Sequence, residues 1–145
     1  MDKIKILFVC HGNICRSPMA EFVMKDMVQK AGQSHDFYID SAAASREELG
    51  HPIYAPAQRE LISHGILGAS HRARLITAAD LKNFDRIYYM DSRNRSYLAR
   101  MFPGQTNFQP FLDRDVADPW YSGDFTATWR DLEEGCKNIL QEVKK

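Results

Sequence analysis

The sequence predicts an α/β fold, a parallel sheet with helices packed on both faces, and three features of it do so. Short β-branched and aromatic runs alternate with longer stretches of helical periodicity. The first of those runs, Ile4 to Val9, is too continuously apolar for a strand with one wet face. Finally, 145 residues suffice for one domain with a full core but not for two, so the span 1–145 is expected to be a single domain.

The elements follow in order. Ile4, Ile6, Leu7, Phe8 and Val9 form a strand that ends at Cys10. The polar turn from His11 to Arg16 leads to Ser17-Pro18, a good helix start, with a hydroxyl near the cap and a proline in the first turn, where its missing N–H costs nothing. Ala20, Val23, Met24, Met27, Val28 and Ala31 then recur at helical spacing, and Gly32 supplies a left-handed stop. Phe37-Tyr38-Ile39 is a second strand leading into Asp40-Ser41, and a helix runs from about Pro56 to near Gly65. Thr77 to Asp80 opens a short helix ahead of a third strand, Arg86 to Met90. Asn94 to Met101 is helical and closed by Pro103-Gly104; Phe108 to Leu112 is a weaker fourth strand because Pro110 interrupts its ladder. Phe125, Trp129, Leu132, Cys136, Ile139, Leu140 and Val143 make the apolar stripe of a long C-terminal helix.

Charge and composition exclude several function classes. With 19 Lys+Arg against 19 Asp+Glu the net charge is zero, so no nucleic-acid partner held by bulk charge is expected. No stretch approaches the length of a membrane span, and the N-terminal apolar run is too short for a secretory leader. Together with an odd count of 3 cysteines, this points to a cytoplasmic protein with free thiols and no membrane partner.

In parallel α/β sheets, ligands bind beyond the carboxyl ends of the strands. Cys10 to Ser17 lies at the first such end, and the segment from Leu112 to Asp124 is expected to leave the fourth strand at the same edge. A loop between a buried strand and a helix N-terminus can curl with its N–H groups inward, and the helix dipole reinforces the anion site so formed. Gly12 and Asn13 tolerate the positive φ that such a curl requires. Cys10 and Arg16 stand at the two ends of one turn of loop and so face one anion, with the guanidinium offering paired hydrogen bonds to two phosphate oxygens. A positive charge about 4 Å from the sulfur favours the thiolate, and Ser17 can add a hydroxyl hydrogen bond. Asp118, in Val116-Ala117-Asp118-Pro119-Trp120-Tyr121, is the best placed acid for a leaving oxygen and base for a following water. Pro119 stiffens that loop, and Trp120 and Tyr121 offer an aromatic wall for a flat side chain.

Taken alone, a free cysteine at a strand end is a small buried hydrophobe; the arginine at the matching position decides otherwise for Cys10. Cys10, His11 and Cys15 lack the pairing and the second ligand pair of a zinc site, and neither nucleotide-binding glycine pattern is present. No metal and no cofactor are expected.

The run Val9-Cys10-His11-Gly12-Asn13-Ile14-Cys15-Arg16-Ser17-Pro18, with the late Asp118-Pro119-Trp120-Tyr121, resembles the low-molecular-weight protein tyrosine phosphatases. Asp40-Ser41-Ala42-Ala43 and Ser70-His71-Arg72-Ala73-Arg74 look like further family segments in the same order, so the resemblance covers essentially the whole chain. It implies a four-stranded parallel sheet with a phosphate-binding loop between strand 1 and helix 1. It also implies a metal-free, two-step hydrolysis of phosphotyrosine in a protein partner. On that resemblance Cys10 would form a phosphocysteine, Arg16 and the loop from His11 through Gly12, Asn13, Ile14 and Cys15 would hold the phosphate oxygens, and Asp118 would act as acid and then base. Asn13, Ser17, Ser41 and His71 match the family's supporting hydrogen-bond network. Cys15 matches its second thiol, which forms a reversible disulfide with an oxidised nucleophile. His11 is expected at the rim, and the protein is expected to be a monomer.

Two departures concern the cleft walls. Ser45-Arg46-Glu47-Glu48 stands where many relatives carry an aromatic residue, which makes the Glu47 wall polar and acidic, and Trp120 stands where the family often has tyrosine. Three alternatives stay open. One is a phosphoarginine phosphatase, where the family tends to carry Thr at the position of Ile14. Another is a thioredoxin-coupled arsenate reductase, whose distant cysteine pair is missing because only Cys136 remains. The third, of a different class, is a catalytically idle phosphopeptide-binding module, which needs neither the thiol nor the acid.

Overall fold

The sheet is built outward from β1 (Ile4–Cys10), which pairs in parallel with β2 (Phe37–Ala43) on one side and β3 (Arg86–Tyr89) on the other. A short edge strand, β4 (Phe108–Pro110), follows β3, giving the order β2-β1-β3-β4. The computed structural model describes residues 2–143; residues 1, 144 and 145 of the predicted domain lie outside them. Ile4 stands opposite Phe37 and Cys10 opposite Ala43, so the nucleophile candidate sits at the very end of the β1–β2 ladder.

Side chains alternate across β1, and each set enters a different core. Ile6, Phe8 and Cys10 pack with Met19, Val23 and Met24 of α1 (Arg16–Lys30), Leu61 of α2 (Ala55–Ser63) and Leu132 and Ile139 of α6 (Phe125–Val143). Leu7 and Val9 pack on the other face with Ile76, with Phe84 just past α3 (Ala78–Asn83) and with Leu98 of α4 (Ser92–Met101). Both faces are therefore covered, which is why Ile6 to Val9 is apolar without interruption. Burying each such side chain contributes ~1.5–3 kcal/mol.

Cys136 is fully buried on the α6 stripe, its thiol directed at the Ala20 carbonyl 3.6 Å away, and burial pushes that thiol up. Among the described residues no helix is long and apolar enough to cross a membrane.

Local details depart from expectation for physical reasons. Helix α1 starts at Arg16, with Cys15 at the cap and no side-chain cap bond. The Ser17 hydroxyl is unavailable as a cap because it lies 3.0 Å from the Cys10 sulfur and accepts from Asn13 Nδ2 at 2.7 Å. The fourth strand stops at Pro110 rather than Leu112, because Phe111 and Leu112 turn inward to join the core. The predicted loop before α6 contains one further turn of helix, α5 (Pro119–Ser122). Asp118 caps it by accepting the Trp120 N–H at 3.1 Å, and Gly123 closes it at φ +72°.

From β1 the chain moves to β2 on one side and returns to β3 on the other. The carboxyl ends of β1 and β3 therefore frame the crevice where such sheets receive ligands. Cys10, the segment after Tyr89 and the loop after β4 all converge there.

Candidate active site

The turn from Cys10 to Arg16 curls around the cysteine sulfur. Asn13 N–H and Ser17 N–H donate to Cys10 Sγ at 3.3 and 3.4 Å, and the Ser17 hydroxyl approaches it at 3.0 Å. The backbone N–H groups of Gly12, Ile14, Cys15 and Arg16 are unpaired among the described residues, and these residues line the cleft. Of the two residues expected to take positive φ, only Asn13 does so, at +61°. Gly12 is small for another reason: a Cβ there would come within 3.2 Å of Glu48 Cγ.

Arg16 closes the turn and is 2% exposed. Its Nη1 donates to Asp91 Oδ2 at 2.7 Å and to the Val116 carbonyl at 2.9 Å, while Nη2 reaches Asp118 Oδ2 at 3.4 Å. Burial works against its charge, but Cys10, Asp118 and Asp91 more than offset this and hold the guanidinium above its ordinary range. Burial likewise works against ionised Asp91. There the Asn94 N–H and Arg16 prevail, and the carboxyl lies below the usual carboxylate range. Cys15, beside Arg16, behaves oppositely: burial, then the nearby Cys10 and Asp118 charges, push its thiol up, so it stays protonated at neutral pH.

Behind the loop a buried polar network fixes Asn13. Asn13 Nδ2 donates to Ser17 Oγ and, at 3.1 Å, to Ser41 Oγ. Its Oδ1 lies 2.7 Å from His71 Nε2 and accepts the Arg74 N–H at 3.2 Å, which assigns the proton to His71 Nε2. Ser41 in turn donates to Glu21 Oε1 at 2.6 Å, and Lys25 Nζ meets the other Glu21 oxygen at 2.6 Å. Burial lowers His71 below its ordinary value and outweighs the opposing pull of Glu21 and Asp40. A side chain holding a non-glycine residue at positive φ is thus itself held from both ends.

The cleft is lined by Cys10 through Arg16, Glu47, Glu48, Asp118, Trp120 and Tyr121. Every predicted lining residue is therefore in one place, with Ser17 beneath the sulfur and Ser41 and His71 behind Asn13. Trp120 and Tyr121 are 53% and 75% exposed, and the Trp120 ring packs against Tyr54 at 4.9 Å.

Sequence reasoning missed Asp91, Glu21 and Tyr54. Asp91 had a usable signal, because it follows Tyr89-Met90 at the carboxyl end of the third strand, where the rule that singled out Cys10 applies equally. Glu21 and Tyr54 had none: one reads as an ordinary helix-face charge, and the other falls between elements.

A parallel α/β sheet whose first strand delivers a cysteine into a turn of inward amides, with an arginine closing the turn and a carboxylate across the mouth, defines a class of α/β protein whose loop at the carboxyl edge of the sheet suits an anionic ligand. Comparison with known proteins narrows the class. The family model described as low molecular weight phosphotyrosine protein phosphatase matches residues 5–145. Among curated proteins, low molecular weight protein-tyrosine-phosphatase YfkJ of Bacillus subtilis is 35% identical over 98% of this chain and 97% of its own length. The human low molecular weight phosphotyrosine protein phosphatase is 34% identical over 95% of this chain and 94% of its own. Among solved structures, the crystal structure of YfkJ superposes with a TM-score of 0.93 at 34% identity, covering 99% of this chain and 96% of that one. The low molecular weight protein tyrosine phosphatase SP-PTP of Streptococcus pyogenes gives a TM-score of 0.90 at 39% identity, covering 99% and 93%. The chain belongs to the low-molecular-weight protein tyrosine phosphatase family.

Proposed function

We propose that this chain hydrolyses phosphotyrosine in protein substrates through a covalent phosphocysteine on Cys10. The observation that carries the reading is the sulfur of Cys10 at the floor of a turn whose Gly12, Ile14, Cys15 and Arg16 amides are unpaired among the described residues, with the Asn13 N–H and Ser17 N–H donating to it and the Ser17 hydroxyl 3.0 Å away.

In the first step the Cys10 thiolate attacks phosphorus and the bond to the tyrosine oxygen breaks. Asp118 supplies the proton that oxygen takes. In the second, the Asp118 carboxylate removes a proton from water as the water oxygen attacks the phosphocysteine, releasing inorganic phosphate and restoring the thiolate. Arg16 and the loop amides neutralise charge on the non-bridging oxygens throughout, the task a metal ion performs elsewhere. Asp118 is suited to the mouth because its other oxygen caps α5, which fixes the carboxylate between Arg16 and the Trp120 backbone. Trp120 and Tyr121 offer flat apolar surface to an aromatic leaving group, and Tyr54 backs the Trp120 ring. Cys15, protonated and buried beside the nucleophile's turn, is the resolving thiol should Cys10 become oxidised to the sulfenic acid.

The test is turnover of an aryl phosphate and of a phosphotyrosine peptide by the wild type and by Cys10→Ser. Loss of turnover in the variant is the expected result; wild-type turnover in Cys10→Ser overturns the reading.

A further inference from the structure

The mouth of the cleft carries charge of the same sign as its ligand. A phosphate monoester is largely dianionic near neutral pH, since its second pKa is about 6. Yet the exposed charges in the lining are Glu47, Glu48 and Asp118, with side chains 67%, 28% and 27% exposed. Arg16, the lining's one side chain of fixed positive charge, is buried beneath them.

Glu47 is held in place rather than trailing in solvent. The segment after β2 is stapled to the phosphate loop: the Ala44 N–H donates to the Cys10 carbonyl at 2.9 Å, and the Ser45 N–H and hydroxyl donate to the His11 carbonyl at 3.1 and 2.9 Å. His11 Nε2 then meets Glu47 Oε2 at 2.8 Å, and the His11 ring is backed by Tyr97 at 5.3 Å. Glu48 lies over Gly12, with its carboxylate 2.7 Å from His51 Nδ1. The neighbouring arginines do not line the cleft: Arg46 is outside it, and Arg93 of α4 reaches only its rim, against the lining residue Tyr121 and against Tyr97.

We propose that Glu47, supported by Glu48, makes this enzyme select phosphotyrosine flanked by lysine or arginine. The substrate's own cation pairs with Glu47 as the phosphate enters the cradle, and a flanking Asp or Glu is repelled. The inference rests on the phosphotyrosine reading above and names the substrate class within it. In an extended substrate neighbouring residues are about 3.3 Å apart, so a long basic side chain one or two residues away spans the mouth. One exposed ion pair corresponds to roughly a 2- to 5-fold change in kcat/KM, and salt screens it.

The experiment measures kcat/KM of the full chain on three phosphotyrosine peptides that differ only in carrying Lys, Gln or Glu on either side of the phosphotyrosine. The expected order is Lys over Gln over Glu, with roughly 5-fold between the extremes and a gap that closes at about 0.5 M salt. Glu47→Gln should bring the Lys-to-Gln ratio towards one, and Glu47→Lys should reverse the order; a purely structural role would instead lower all three rates alike. Equal rates in the wild type, or an order unchanged in both variants, overturns the inference alone. Hydrolysis of none of the three peptides overturns the phosphotyrosine reading and this inference with it.

Discussion

The guanidinium of Arg16 reaches across 75 positions of sequence to the carboxylate of Asp91, Nη1 to Oδ2 at 2.7 Å. The other oxygen of Asp91 caps α4 by accepting the Asn94 N–H at 2.8 Å. One side chain thus ties the phosphate loop to the carboxyl end of β3 and sets the guanidinium before any substrate arrives. Such prepaid orientation is what makes a charged donor effective in a site.

Asp91→Asn keeps an acceptor for the α4 cap but removes the charge facing a buried arginine. Stability should fall by about 3 kcal/mol, the range for breaking a buried pair from one side, read as a lower urea midpoint. Inhibition by inorganic phosphate should weaken about 10-fold, corresponding to ~1.4 kcal/mol. Unchanged phosphate inhibition would show that Arg16 is oriented without Asp91.

Ser17→Ala removes the hydroxyl 3.0 Å from the Cys10 sulfur and the partner of Asn13 Nδ2. A hydrogen bond to a charged group is worth about 1.5–3 kcal/mol, so kcat should drop roughly 10- to 100-fold. Alkylation of Cys10 by iodoacetamide at pH 6 should slow in parallel. If turnover falls while alkylation is unaffected, the hydroxyl acts on something other than the sulfur.

For Asp118, asparagine is the informative replacement, because it still caps α5 but cannot carry the proton. With a phenyl ester kcat should fall about 10²–10⁴-fold. With a nitrophenyl ester, whose oxygen leaves readily unprotonated, the loss should be much smaller. Equal losses on both esters would remove Asp118 from the acid role.

His71 ties the network to pH. Burial holds its folded value below the ordinary one, so between the two values the unfolded chain binds a proton that the folded chain refuses. Stability should therefore fall as pH drops below about 6.5, the unfolded value, and level off once the folded value is passed. In His71→Gln this portion of the pH dependence should vanish from urea midpoints measured between pH 7 and pH 5. A slope identical to that of the wild type would assign it to other groups.

What the sequence disclosed was what its local pattern encodes. β1 was legible because a strand covered on both faces leaves an unbroken apolar run, and the turn from Cys10 to Ser17 because its residue types serve one another at short range. Ser17 offered two readings, a helix cap and a hydroxyl for the Cys10 sulfur, and only the second holds: the hydroxyl lies 3.0 Å from Sγ and the helix start is left without a side-chain cap bond. Gly12 was assigned to backbone freedom when its smallness serves the approach of Glu48, which arrives from a separate loop. Ser41 and His71 were placed beside Asn13 by the family resemblance alone, and Asp91 had only its position at a strand end; with Glu21 they come from four different elements or loops, and no spacing in the sequence records their meeting.

Turnover by this mechanism passes through phosphate bound covalently to Cys10. Asp118→Asn, slowed in the release of phosphate, should be mixed with a phosphorylated aryl substrate, quenched in acid within milliseconds and mapped by mass spectrometry. Phosphate should be found attached to Cys10 in the Asp118→Asn protein and absent in the Cys10→Ser variant. Turnover with no phosphate on Cys10 at any time point, or phosphate carried on another residue, would contradict it.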